Sequence, residues 1–370
     1  MSTKGSCSEN KKPVVMTYYT YSDRIGGPLT YIHTLLDSDL QERYEMVTLF
    51  QEKAPGGLDL GLLRDMTRKI RAAKPDIVHV QGAQSEGFYG VLAAKLAGCK
   101  NVVMTVHGFS FDDSNCQGLK RFLYRFVVEP VSLWLADSVY CVCEHAAKRS
   151  IVQKSVRGKK RLLGCIHNCV PDLKVTASRE QMRRSLGLKE TDVVFGVCGR
   201  VTKDKGFDLI EGMMPMIDSK YRDSLKLMII GDGEYRQTFQ QNMAQEIADG
   251  RILMIGQTNS VADYLQACDG YLFPSYHENL SIALLEAGAS GLACVVSDVG
   301  GNGEIIQDGK TGIVVKEQKP EAYAHAVNYL LEHPDVMGMF QKAVKEDVST
   351  RFAKETMIER VRAVYDCCKK

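Results

Sequence analysis

Residues 271–297 read YLFPSYHENLSIALLEAGASGLACVVS, and this stretch decides the fold. Tyr271–Phe273 is an apolar strand end and Pro274-Ser275 a turn. Leu280–Ala289 carries apolar residues at helical spacing and stops at Ser290-Gly291; Ala293–Ser297 is a second apolar strand. Glu278 precedes the helix and Glu286 lies eight positions further on. Eight helical residues rise roughly 12 Å, whereas the paired carboxylates of a glycosidase stand about 5 to 9.5 Å apart. The two glutamates are therefore too widely spaced to flank one glycosidic bond, but they can grip two ends of a longer ligand. Glu278 lies just outside a helix N-terminus, whose free N–H groups and partial positive charge suit a phosphate. A carboxylate for hydroxyls, amides for phosphate and a second carboxylate further along describe a site for a sugar nucleotide. The same spacing also fits two surface glutamates on an amphipathic helix.

Outward from this unit, apolar runs alternate with helix-period segments along the chain. The runs are Val14–Tyr19, Met46–Phe50, Ile77–Val80, Val102–Val106, Val139–Val142 and Leu162–Ile166. They continue with Val193–Val197, Leu225–Ile230, Ile252–Ile255, Gly270–Phe273, Cys294–Val296 and Ile313–Val315. Continuous apolar strands between helices mean parallel sheets covered on both faces. So many strands are too many for one open sheet in 370 residues. The expected fold is α/β, two doubly wound domains parted by the polar segment Pro171–Asp192, with ligands in the cleft between them.

Composition narrows the partners. A net charge of +2 gives no signature of nucleic-acid binding. Up to residue 173 there are 23 Lys and Arg against 17 Asp and Glu, and beyond it 24 against 28, so the halves face different partners. The N-terminus, MSTKGSCSENKKP, lacks the apolar core of a signal peptide, and no apolar run is long enough to span a membrane. Twelve cysteines in such a chain read as reduced thiols, and neither Cys141-x-Cys143 nor Cys367-Cys368 has a zinc spacing. A cytoplasmic protein is expected.

Other residues are candidates by position. Gly26-Gly27 lies between the first strand and a helix, where it is either a close backbone approach to an anion or an ordinary turn. Asp37-x-Asp39 reads as a solvated helix end. His107 follows a strand directly, which suits a cleft residue or a packed histidine. Leu119–Leu135 interleaves Lys120, Arg121 and Arg125 with Phe122, Tyr124, Phe126 and Trp134. It reads as a core helix, or as one docked on an anionic bilayer and kinked at Pro130. A second basic cluster, Lys154–Arg161, is a solvated loop or an extension of that surface. Arg200 and Lys205 follow a strand and form a candidate phosphate clamp. Gly231-Asp232-Gly233 also follows a strand, but Arg236 occupies the third glycine position of a dinucleotide fingerprint.

In their order and spacing these residues resemble family 4 of the glycosyltransferases, over nearly the whole chain. The resemblance rests on Gly26-Gly27, His107-Gly108, Asn168, Gly199-Arg200 with Lys205-Gly206, and Gly231-Asp232-Gly233. It also rests on Pro274-Ser275, Glu278 with Glu286, and Gly300-Gly301 with Glu304. It implies a GT-B fold of two facing Rossmann-like domains: residues 1–173 for the acceptor, 174–352 for the donor, and a final segment 353–370 whose helix returns to the first. It implies a retaining transfer of sugar from a nucleoside diphosphate sugar to a glycan or lipid-linked acceptor, as in bacterial capsule, exopolysaccharide or lipopolysaccharide assembly. Alternatives are a nucleotide-sugar epimerase of the same fold and a non-catalytic two-lobed sugar-binding protein.

The resemblance also implies roles. Arg200 and Lys205 bind the donor diphosphate and stabilise it as it leaves; Glu278 binds the donor sugar and Glu286 the ribose. His107 lies near the transferred sugar, and the Gly26-Gly27 backbone approaches the phosphates. Asn279, Leu280, Ser281 and Gly231 line the donor, and Gly256-Gln257 holds the base. No metal or other cofactor is expected, because Arg200 and Lys205 supply the charge. If Leu119–Leu135 is the docked helix and not a core one, peripheral contact with the inner membrane face follows. Asn279 and Ser281 stand where the family commonly has glycine, and Cys169 replaces a glycine beside Asn168. These changes point to an altered sugar pocket and hinge.

Overall fold

The computed structural model describes residues 12–20, 27–51, 57, 59–112, 116–156 and 161–368; Gly26 and residues 157–160 of the basic cluster lie outside them. The first lobe carries β1 (Val14–Thr20), β2 (Glu45–Gln51), β3 (Ile77–Gln81), β4 (Val102–Val106), β5 (Ser138–Cys141) and β6 (Arg161–Cys165). The second carries β7 (Val193–Cys198), β8 (Leu225–Ile230), β9 (Ile252–Gly256), β10 (Gly270–Phe273), β11 (Ala293–Ser297) and β12 (Gly312–Val315). Each set forms one parallel sheet, ordered β2-β1-β3-β4-β5-β6 and β12-β11-β10-β7-β8-β9. β3, β4, β10 and β11 are buried along their whole length, as expected for apolar strands with helices on both faces.

The two sheets wind differently. Renumbered within its lobe, the second has the 3-2-1-4-5-6 order of dinucleotide-binding folds, which reverses between β7 and β10. The first follows the 2-1-3-4-5 order with a sixth strand added, and reverses between β1 and β3. At such a reversal neighbouring loops diverge beyond the strand C-termini and open a crevice. In the second lobe the diverging loops are those carrying Lys205 and Glu278.

The chain crosses between lobes twice. After β6 it passes into the second lobe, and the last helix, Lys354–Cys367, returns to the first. Met357, Ile358, Val361 and Val364 bury themselves against Val15, Leu35, Ile77 and Val103. Tyr365 reaches β3, its hydroxyl 2.7 Å from His79 Nδ1, and Arg362 pairs with Asp39 at 2.5 Å. Asp37 and Asp39, just beyond the first helix, are exposed as a solvated helix end should be, and Asp39 carries this surface ion pair to the last helix. At the crossings themselves, the Val170 N–H donates to the Phe352 carbonyl at 2.9 Å.

The reading of Leu119–Leu135 as a core helix does not hold. The segment is a helix (Gly118–Leu123), a π turn (Tyr124–Val128) and a second helix (Glu129–Leu135). Pro130 has no N–H to donate back along the helix, and a wide turn absorbs that loss just before it. Leu119 is 73% exposed, Phe122 56%, Phe126 58% and Trp134 61%, while only Glu129, Ser132 and Leu133 are buried.

Candidate active site

The loop after β7 closes in a turn at Lys203–Lys205 and is pressed onto the loop after β10. Gly206 makes this contact possible: its φ is +76°, and a Cβ there would collide with the Pro274 carbonyl. The Tyr276 N–H donates to the Asp204 carbonyl at 2.9 Å, fastening the same two loops. Lys205 Nζ consequently lies 2.6 Å from Glu278 Oε1, with only 20% and 10% of the two side chains exposed. Behind Glu278 a Gly300-Gly301 turn packs against the loop backbone, and the Gly301 N–H donates to the Asn279 carbonyl at 2.6 Å.

The helix Ile282–Ala289 starts here, and Ser281 serves it as a cap, its Oγ accepting from the Leu284 N–H at 3.2 Å. Leu280 is buried beneath the loop. Glu286, partly buried on the next turn, lies beside Cys198 at the end of β7 and Tyr271 within β10. Burial raises the Glu286 carboxyl to about 7. Burial likewise pushes the Cys198 thiol up to about 12, and the neighbouring Glu286 charge adds to it.

The first lobe meets this loop at His107-Gly108. A Cβ on Gly108 would lie 2.8 Å from Asn279 Nδ2, and Asn279 Oδ1 is buried without a hydrogen-bond partner among the described residues. His107 Nε2 is 2.9 Å from Gln81 Oε1, and its ring packs edge-on against Tyr31 at 5.1 Å. Burial lowers its pKa to about 3, so the ring is neutral; with Gln81 accepting, Nδ1 is left as an acceptor. Gly27, at the start of the first helix, faces Ile282, 3.4 Å from where its Cβ would be.

The structure therefore brings Lys205, Glu278, Asn279, the His107-Gly108 corner and Gly27 around one crevice, with Glu286 behind. Arg200 is turned outward, 57% exposed and 3.5 Å from Asp204. Gly256 and Gln257 lie at the end of β9, two strands from β7, where the Gly256 carbonyl accepts from the Gly231 N–H at 2.8 Å.

Other contacts across the crevice have no local signature in the sequence. Arg149 stacks over Phe109 and Phe111 at 4.8 and 5.0 Å and grips Asp112 with both guanidinium nitrogens. Asp112 in turn lies 3.5 Å from His277 Nε2 of the second lobe. Burial lowers the His277 pKa, while the Asp112 and Glu278 charges oppose that shift. Further out, Glu304 accepts from the Glu144 and His145 N–H groups at 2.9 and 2.8 Å and from His167 Nε2 at 2.8 Å. Burial pushes this carboxyl up, but those donors outweigh it and hold it below the usual range. Cys165, His167 and Glu304 offer ligand atoms within 4.8 Å of one another, yet both Glu304 oxygens are already engaged as an interlobe clamp. Partners 160 residues apart cannot be paired from spacing alone.

Residues 178–347 match the family model described as glycosyl transferases group 1, and residues 37–163 the one described as a glycosyl transferase 4-like domain. A UDP-Gal:alpha-D-GlcNAc-diphosphoundecaprenol alpha-1,3-galactosyltransferase of Escherichia coli is 26% identical, over 83% of this chain and 79% of that protein. The N-acetyl-alpha-D-glucosaminyl L-malate synthase of Bacillus anthracis is 24% identical over 83% of this chain and 78% of that protein. Among solved structures, Anabaena Alr3699/HepE in complex with UDP-glucose superposes with a TM-score of 0.75, at 16% identity over 96% and 99% of the two chains. WaaG, a glycosyltransferase involved in lipopolysaccharide biosynthesis, gives 0.72 at 16% identity over 95% and 99%.

Proposed function

The chain belongs to the glycosyltransferases of family 4, built on the GT-B fold, and on that premise we propose how its crevice moves a sugar from a nucleoside diphosphate sugar to a glycan or lipid-linked acceptor with retention. The observation that carries the assignment of roles is the Lys205–Glu278 contact at the sheet reversal, facing His107-Gly108 of the other lobe. Without donor the ammonium and carboxylate neutralise each other. An entering diphosphate draws Lys205 to itself and frees Glu278 to accept from the donor sugar's hydroxyls. As the diphosphate departs, a cation already in place stabilises it without reorganisation. Glu286 binds the ribose, the base lies near Gly256-Gln257, and the leaving phosphate takes the acceptor's proton on the same face. Arg200 joins the diphosphate by swinging away from Asp204. No metal is called for.

The acceptor side rests on two supports. The relative from Escherichia coli acts on a diphosphoundecaprenol-linked sugar, and the first lobe exposes Leu119, Phe122, Phe126 and Trp134 among Lys120, Arg121 and Arg125. Such a surface suits an anionic bilayer, and no helix among the described residues is long and apolar enough to cross one. The reading is tested by thermal shift with nucleoside diphosphates. They should raise the melting midpoint of the native chain and raise it much less in Lys205→Ala. If none of them stabilises the native chain, the assignment is lost.

A further inference from the structure

Beside the crevice a cleft of about 810 Å³ runs between the exposed helix pair and the Arg149 corner, and His277 of the second lobe forms part of its lining. We propose that this cleft seats the diphosphate and first prenyl units of a lipid-linked acceptor, a subsite that rests on the lipid-linked reading above.

Its lining divides by chemistry. Phe126, Pro130 and Ile151 form apolar wall, and Phe126 continues outward into the exposed face of Leu119, Phe122 and Leu123. Arg125 and Lys154 supply charge, and neither has a carboxylate partner among the described residues. Arg149 and Asp112 also line the cleft but neutralise each other, and burial favours neutral His277. The surplus is one cation on each side. A sugar–diphosphate–prenol carries one negative charge on each phosphoryl group and an apolar tail beyond them, which matches both the charge and the layout.

Direction follows from the two ends. His277 immediately precedes Glu278, and its charge environment includes Asp112 and Arg149 on one side and Glu278 and Lys205 on the other. A diphosphate held between Arg125 and Lys154, with its tail toward the exposed ridge, would point the acceptor sugar at His277 and the donor.

The test is titration calorimetry of the full chain with farnesyl diphosphate, farnesol and inorganic pyrophosphate, with UDP as a control. Farnesyl diphosphate should bind at least roughly ten-fold tighter than either half alone. The R125A/K154A double variant should lose roughly ten-fold or more of that affinity while holding UDP as before. Phe126→Ser, at an exposed position, should weaken farnesyl diphosphate and leave pyrophosphate unchanged. Equal binding of farnesyl diphosphate by native chain and double variant overturns the subsite. Pyrophosphate binding as tightly as farnesyl diphosphate reduces the cleft to a general anion patch and also overturns it. Turnover is judged separately. A native chain that transfers no sugar to any prenyl-diphosphate-linked sugar refutes the acceptor reading, while the calorimetry still decides what the cleft holds.

Discussion

The two lobes obey one rule of sheet winding and put different chemistry at its outcome. In the second, the reversal lies between β7 and β10, and the loops that diverge there carry an ammonium and a carboxylate in contact. The first lobe faces it with uncharged polar groups: a neutral His107 held by Gln81, and a glycine against Asn279. Its cations lie further out, on the exposed helix pair and the cleft below it. The winding fixes where a ligand can go, and the loop residues decide which one. On the proposed reading, one lobe holds the leaving anion and the other approaches it without adding charge.

Substitutions can break this contrast. Lys205→Ala should lower turnover by roughly 10²- to 10³-fold, as loss of a preorganised charge does elsewhere. His107→Ala, its counterpart across the crevice, should cost only about ten-fold, the worth of roughly one hydrogen bond. Nucleoside diphosphate release measures both, and equal losses would erase the distinction between the lobes. Gly206→Ala should cost about 2–4 kcal/mol in denaturant unfolding, because its φ is strained for alanine and the obstacle is backbone. Gly108→Ala should cost under about 1 kcal/mol, since its obstacle is the end of the Asn279 side chain, which can turn.

Proton linkage sharpens the picture within the second lobe. Burial raises the Glu286 carboxyl to about 7, so donor affinity should climb as pH rises through that value and ionises it. Glu286→Gln should bind more weakly and show a flat profile by calorimetry. The sign for stability is opposite. The folded state binds the extra proton, so this group's contribution declines as pH rises from its ordinary 4.5 to about 7. At the small end, a chelator should leave turnover unchanged; loss of activity restored by a divalent cation would contradict charge supply by Lys205.

Much of the fold was legible because each parallel strand is a short apolar run between helices, as Val102–Val106 and Gly270–Phe273 show. The pairing of Lys205 with Glu278 was not, since periodicity says nothing about which loops meet at a reversal; family resemblance put both residues at the donor, one on its diphosphate and one on its sugar, without pairing them. Arg200 was placed correctly on its loop but not in direction, because an i,i+4 aspartate competes for it. Leu119–Leu135 resisted for another reason. Its apolar and basic residues alternate too finely to name a buried face, and the π turn breaks the helical period that would have named it. His79, inside the apolar run IVHVQ, was not singled out from the sequence; a histidine in a buried strand needs polar partners, and here they are Tyr365 and Tyr140.

The doubled passage between lobes has a mechanical consequence. Two covalent strands joined by the Val170–Phe352 hydrogen bond act as a paired pivot, not a single tether. A lone linker would let the halves twist and slide; two abreast restrict them to swinging about one line. A closing motion about that axis would carry Lys205 and His107 together along a repeatable arc. Nicking one strand should widen the spread of interlobe distances in single-molecule fluorescence without parting the halves; an unchanged spread would show that the second strand restrains nothing.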